Sequence, residues 1–155
     1  MNEPTLISPA WLVAHALVDL DLAHWPDAVA PPPGAYPVWV GALPYYAGAS
    51  DNAMAVFDTT GRLDGRYMST GEVVKHPGIQ LRVRHRAYTT GRAVIAALYV
   101  ALTQNMRRRQ VMVDATPYFI HNVTPTSDII TLGRAEDTRL FDFTANFVAT
   151  VSAEL

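Results

Sequence analysis

The sequence predicts an α+β domain, a largely antiparallel sheet with two main helices packed on one face. Three observations carry this expectation. Two segments, one after Ser8-Pro9 and one after Thr89-Thr90, repeat apolar residues at helical spacing. Several short runs, and a long one from Leu140 to Val151, alternate apolar and polar residues as half-buried strands do. The order helix, strands, helix, strands segregates the helices to one side of a sheet.

The first helix is expected to start at Ser8-Pro9. A serine oxygen accepts an orphan N–H of the first turn, and proline at the first helical position has no N–H to waste. Val13, Ala16, Leu17 and Leu20 share one face, widened by Trp11, Ala14 and Val18, and the helix stops before Trp25-Pro26. Pro31, Pro32 and Pro33 then favour an extended spacer near 30–37. Val38-Trp39-Val40 and Ala53 to Phe57 read as short strands, with Gly48, Ser50, Asp51 and Asn52 supplying turn chemistry for a hairpin or meander. From Asp58 to Gly78 no period is sustained, and a long loop near 58–78 is expected, with room for a short hairpin at its tip.

Ile79 to Arg86 alternates strictly, with Ile79, Leu81 and Val83 on one side and Gln80, Arg82, Arg84 and Arg86 on the other. One buried face and one cationic face follow. A second helix is expected from Thr89 or Thr90, striped by Val94, Ala97, Leu98, Ala101 and Leu102, with Arg107, Arg108 and Arg109 at its C-terminus, where the helix dipole favours positive charge. Strands are then expected at 111–114, 118–123, 129–132 and 140–151. In the last, Phe141, Phe143, Ala145, Phe147, Ala149 and Val151 face one way. At about 3.3 Å per residue this strand extends roughly 40 Å, the width of a domain of this size, so it must bend or reach a neighbour.

At 155 residues, half of them apolar, the chain supports a single domain over 1–155. A net charge of -2 with 17% charged residues matches neither a nucleic-acid binder nor a disordered chain. With no cysteine there is no disulfide framework, thiolate zinc site, iron–sulfur cluster or cysteine nucleophile. No signal-peptide pattern opens the sequence and no run reaches membrane-spanning length, so synthesis in a cytoplasm and no membrane partner are expected.

Catalytic signatures are sparse. His15, His24, His76, His85 and His121 show no HxH, HxxxH or HExxH spacing, so a metal would need ligands from distant segments. No GxSxG, Walker A or dinucleotide fingerprint occurs. Asp19 with Asp21, and Glu136 with Asp137, fall where solvated turns or helix ends are expected. No catalytic, cofactor or metal site is expected, and the chain reads as a non-enzyme. The arginines of 82–86 form a single-sign ladder that needs carboxylates opposite it. Those partners belong to the sheet, to an adjoining subunit, or to solvent in their stead.

The order of motifs resembles the minor capsid and tail-terminator family of long-tailed bacteriophages. The carrying residues are Asn52-Ala53-Met54-Ala55-Val56-Phe57-Asp58 with Gly61, then His76-Pro77-Gly78-Ile79-Gln80-Leu81-Arg82-Val83-Arg84, and Leu132-Gly133-Arg134 with Arg139 and Phe143 to Phe147. The likeness spans nearly the whole chain through short, structural motifs; the proline spacer and the long loop depart from the family pattern. It implies a virion protein at the neck or top of the tail. Such a subunit belongs to a homo-oligomeric ring, commonly a hexamer, that caps the tail-tube protein and meets the head-side connector or stopper, while DNA passes through the lumen without specific binding. Arg62, Arg66, Tyr67 and Lys75 in the loop, Arg82, Arg84 and Arg86 on the strand, and Arg134 and Arg139 near the closing strand are the contact candidates, because exposed arginine and aromatic side chains are favoured at interfaces. A head-completion or stopper role is the alternative within phage structure. A small α+β hydrolase or ligand-binding module is the alternative of another class, recognisable by a deep pocket with two perturbed titratable groups.

Overall fold

A strand with one apolar and one polar face is pinned wherever its apolar face meets a core, and Phe141–Ala153 occupies that position at the centre of the sheet. The computed structural model describes residues 7–44, 51–62 and 73–153. Its elements are α1 (Pro9–Asp19), β1 (Ala23–His24), β2 (Tyr36–Val40), β3 (Ala53–Arg62), β4 (Val73–His85), α2 (Tyr88–Asn105), β5 (Arg109–Val113), β6 (Thr116–Pro125), β7 (Ile130–Arg134) and β8 (Phe141–Ala153). The strands run in the order β1-β2-β3-β4-β8-β6-β5, with β7 beside the first part of β8. β1, β2 and β3 pair in parallel and the rest antiparallel. The domain is α+β with a mostly antiparallel, curled sheet: α1 touches β2 and β3 toward one end of the strand order and β5 at the other.

Phe143, Ala145, Phe147, Ala149 and Val151 of β8 join Met54, Val56, Ile79, Leu81 and Val83 in one apolar cluster. The helices close it with Leu12, Val13, Ala16 and Leu17 of α1 and Ile95, Leu98 and Leu102 of α2. Tyr99 sets its ring 5.4 Å from that of Phe147, and Tyr88 lies 5.5 Å from both Phe141 and Phe143.

Ser8 caps α1 as expected, its Oγ accepting the Trp11 N–H at 3.5 Å, with Pro9 opening the helix. A stronger cap comes from the sheet. Asp58 accepts the Ala10 N–H at 2.9 Å through Oδ1 and the Ser8 hydroxyl at 2.5 Å through Oδ2, placing a carboxylate on the positive end of the helix. Asp58→Ala is therefore expected to cost about 1 kcal/mol of unfolding free energy, twice or more the effect of a substitution at exposed Thr59. Chemical denaturation of the two variants checks this.

Several expectations are corrected. β2 and β3 do not form a hairpin; they lie parallel, because residues 41–52 are long enough to carry the chain back along the sheet. The proline spacer ends at Ala35, since Tyr36 and Pro37 already belong to β2. The loop expected at 58–78 is strand at both ends: 58–62 complete β3 and 73–78 begin β4, paired through Asp58↔Ile79, Thr59↔Gly78 and Arg62↔His76. Gly61 and Gly78 make the pairing possible at its irregular point, where a Cβ on either would overlap the opposite backbone. Residues 63–72, with Arg66 and Tyr67, lie outside the described residues.

α2 begins at Tyr88 with Ala87 as its cap, earlier than Thr89 or Thr90. The His85 ring accepts the Ala87 N–H at 2.9 Å, and Gly91 lets the first turn press against Phe143, so tertiary contacts set the start. The arginine triplet falls beyond the helix, which ends at Asn105. Arg108 sits at φ 51° in a turn, its N–H donating to the His121 carbonyl at 3.1 Å, and Arg109 opens β5.

Candidate assembly surface

Strand alternation places Gln80, Arg82 and Arg84 on the sheet face turned away from the helices, and register sets Asn146, Thr144 and Asp142 of β8 beside them in turn. The rungs are neutralised within the chain. Gln80 Nε2 donates to Asn146 Oδ1 at 3.1 Å, and Arg82 Nη2 pairs with Asp142 Oδ2 at 3.1 Å. Thr144 adds a bond from its hydroxyl to the Leu81 carbonyl at 3.2 Å.

Arg84 corrects the expectation of a continuous cationic face. It is only 2% exposed, and its guanidinium donates to the Pro44 carbonyl at 2.8 Å and the Asp51 carbonyl at 3.2 Å. It ties the β2–β3 connection onto the sheet and offers no surface to a partner. Arg86 is exposed and pairs with the Asp51 carboxylate, which holds its guanidinium above the ordinary arginine range. The three arginines thus have three different environments: half-buried, buried and open.

His85 lies at the end of the same strand, on the side of the core. Its Nε2 is 3.2 Å from the Tyr36 hydroxyl, and the Ala87 N–H occupies Nδ1, so the neutral ring satisfies both contacts. Burial pushes its pKa below the ordinary histidine value. The unfolded chain takes up this proton near pH 6.5 and the folded chain only below that, so between the two values the unfolded state holds more protons. Stability is expected to be level above about pH 6.5 and to fall as the pH drops through that window, by no more than about 1.4 kcal/mol per pH unit from this group. Urea midpoints measured from pH 7.5 to 5 show the decline, and His85→Gln flattens it.

β7 forms a different kind of surface. All five of its residues are exposed, with Ile130 at 43% and Leu132 at 52%, and β8 is its one strand partner among the described residues. A register shift between Thr131 and Gly133, the latter at φ 87°, bends it into the turn that precedes β8. There Arg134 Nε donates to the Arg139 carbonyl at 3.2 Å, and its guanidinium lies 5.7 Å from the centre of the Phe141 ring. Arg134, Ala135, Glu136 and Arg139 line a shallow hollow, so these two arginines, two strands from the end of β4, do come together. Arg62 ends β3 opposite His76, and Lys75 is exposed on β4.

One pair went unread in the sequence. His121 Nε2 and Ser152 Oγ stand 2.7 Å apart across β6 and β8, 31 residues from each other along the chain. Ser152 is fully buried, so the pair joins two strands where β6 is irregular and presents no hydroxyl to solvent. Among the described residues no three metal-ligating side chains converge, and no helix is long and apolar enough to cross a membrane. No family model matches the chain, and no curated protein matches it.

Proposed function

We propose that this chain is a structural virion protein, one subunit of a ring that caps a bacteriophage tail tube and joins it to the head-side connector. The observation that carries the proposal is the one-sided layer: both helices share one core under the sheet, while the polar face of β4 and β8 and the edge of β7 carry no further helix or strand among the described residues. A ring closes when two unlike lateral surfaces of each copy meet by rotation, and the partly exposed rungs Gln80, Arg82 and Asn146 on one side and the exposed edge of β7 on another supply such surfaces. The motifs behind the family resemblance fall on positions that shape this layer. Asp58 caps α1, Gly78 admits β3, Gly133 bends β7, and Phe143 and Phe147 fill the core.

Within the proposal Lys75, Arg86, Arg134 and Arg139 are the solvent-facing contact residues, and Arg84 leaves the set. Imaging tails made without the protein tests the assignment. Overlong or unfinished tubes are expected; normal tails beside leaking heads would instead indicate a stopper, and unaffected particles would remove both roles.

A further inference from the structure

We infer that the turn between α2 and β5 docks the phosphate backbone of duplex DNA, held by Arg107, Arg108 and Arg109 without regard to base sequence. The helix dipole does not account for these arginines. α2 ends at Asn105 with no basic residue in its last turn, and the triplet follows its cap, Met106. Arg107 and Arg108 are exposed, and Arg108 takes φ 51°. The surrounding elements supply no counter-charge. α2, β5 and β6 contain no acidic residue, and none of the three side chains has an ion pair or hydrogen bond among the described residues. Even the buried Nε of Arg109 finds no partner there. The strand arginines differ, each being answered within the chain: Arg82 by Asp142, Arg84 by two carbonyls and Arg86 by Asp51. Adjacent guanidiniums repel one another until an anion from outside joins them.

The chemistry around the turn selects the anion. A guanidinium meets a phosphate through parallel N–H bonds that match its planar fork. Gln104, Asn105 and Gln110 are exposed and uncharged, and amide side chains of this kind donate to phosphate and sugar oxygens. The Arg108 N–H, bonded to the His121 carbonyl at 3.1 Å, fixes the turn against β6. Residues 104–110 include no aromatic side chain, so the turn lacks both the anchor on which protein interfaces centre and the stacking platform that single strands use. A duplex presents phosphates at high density and requires neither. The net charge of -2 is no obstacle, because residues 73–113 carry one lysine, seven arginines and no acidic residue.

This inference goes beyond the ring and does not rest on it, so tail imaging and DNA binding can fail separately. Fluorescence anisotropy of a short labelled duplex, titrated with the whole chain at several salt concentrations, tests it. Affinity is expected to fall roughly fortyfold between about 50 and about 200 mM salt, the slope of about three phosphate contacts, and to be equal for two duplexes of unrelated sequence. The double variant Arg107→Gln with Arg108→Asn, the asparagine chosen because it tolerates the left-handed backbone there, is expected to bind about tenfold or more weakly at the lowest salt and to lose about two from the slope. Both side chains are exposed, so its unfolding midpoint stays that of the wild type. Arg92→Gln removes a charge roughly 20 Å away along α2, beyond the screening length, and is expected to leave the affinity within about twofold. No binding at low salt, a double variant that binds as the wild type does, or a loss from Arg92→Gln as large as that of the double variant would each overturn the inference. So would a wild-type chain that binds vesicles of anionic phospholipid and not DNA, which would assign the turn to a membrane surface.

Discussion

Phe143→Ala is expected to lower the unfolding free energy by about 3–5 kcal/mol, a large share of the total for a domain of this size. The ring is fully buried between β4 and α2, with Val83 beside it in register and Tyr88 at 5.5 Å. What places the cost toward the upper end is the neighbour at Gly91, whose missing side chain gives the ring its space. A glycine has nothing to swing into the void, so the cavity left by truncation stays open. Urea unfolding reads the effect as a midpoint lowered by about 1 M or more at unchanged slope. A loss near 1 kcal/mol would mean that α2 settles onto the sheet when the ring is gone.

Arg84→Met is expected to be the second large loss, about 3–5 kcal/mol, although the new side chain keeps much of the aliphatic stem. The Pro44 and Asp51 carbonyls lose their buried donor, and the tie between the β2–β3 connection and the sheet goes with it. Arg84→Lys recovers only part, because one ammonium does not reproduce the planar fork that reaches two carbonyls. The adjacent rung supplies the contrast. Arg82 keeps about a third of its side chain in solvent, so Arg82→Met is expected to cost less, about 1–2 kcal/mol, most of it from taking the ion pair away from the largely buried Asp142 carboxylate. Equal losses at the two positions would show that burial does not separate them.

That contrast also marks the limit of what periodicity reveals. The alternation of 79–86 puts Arg82, Arg84 and Arg86 on one face; Arg82 and Arg84 lie there, and Arg86 follows the end of β4. The alternation carries no information about the connection between β2 and β3, whose Pro44 and Asp51 cover the middle arginine and leave its neighbours partly or wholly open. The core face of β8 was legible because Phe143, Phe147 and Val151 repeat every second residue and meet one continuous core. The strand content of 58–62 and 73–78 was not, because threonine, glycine and histidine there pair across β3 and β4 through backbone groups and show no apolar period. The parallel arrangement of β2 and β3 was equally hidden, since a strand's sequence does not state the direction of its neighbour. Among the contact candidates, the grouping of Arg134 with Arg139 follows from a short turn, whereas the partners of Arg82 and Arg86 come from segments far along the chain.

β8 is synthesised after every other described strand, yet it is the one that joins β4 to β6 and β7. A nascent chain that has emerged as far as Leu140 therefore holds its two flanking sheets unjoined, with the long sides of β4 and β6 bare and the seat of Phe143 and Phe147 vacant. Consolidation must await the arrival of Phe141–Ala153, and in that interval the unjoined halves are exposed to aggregation and to capture by chaperones.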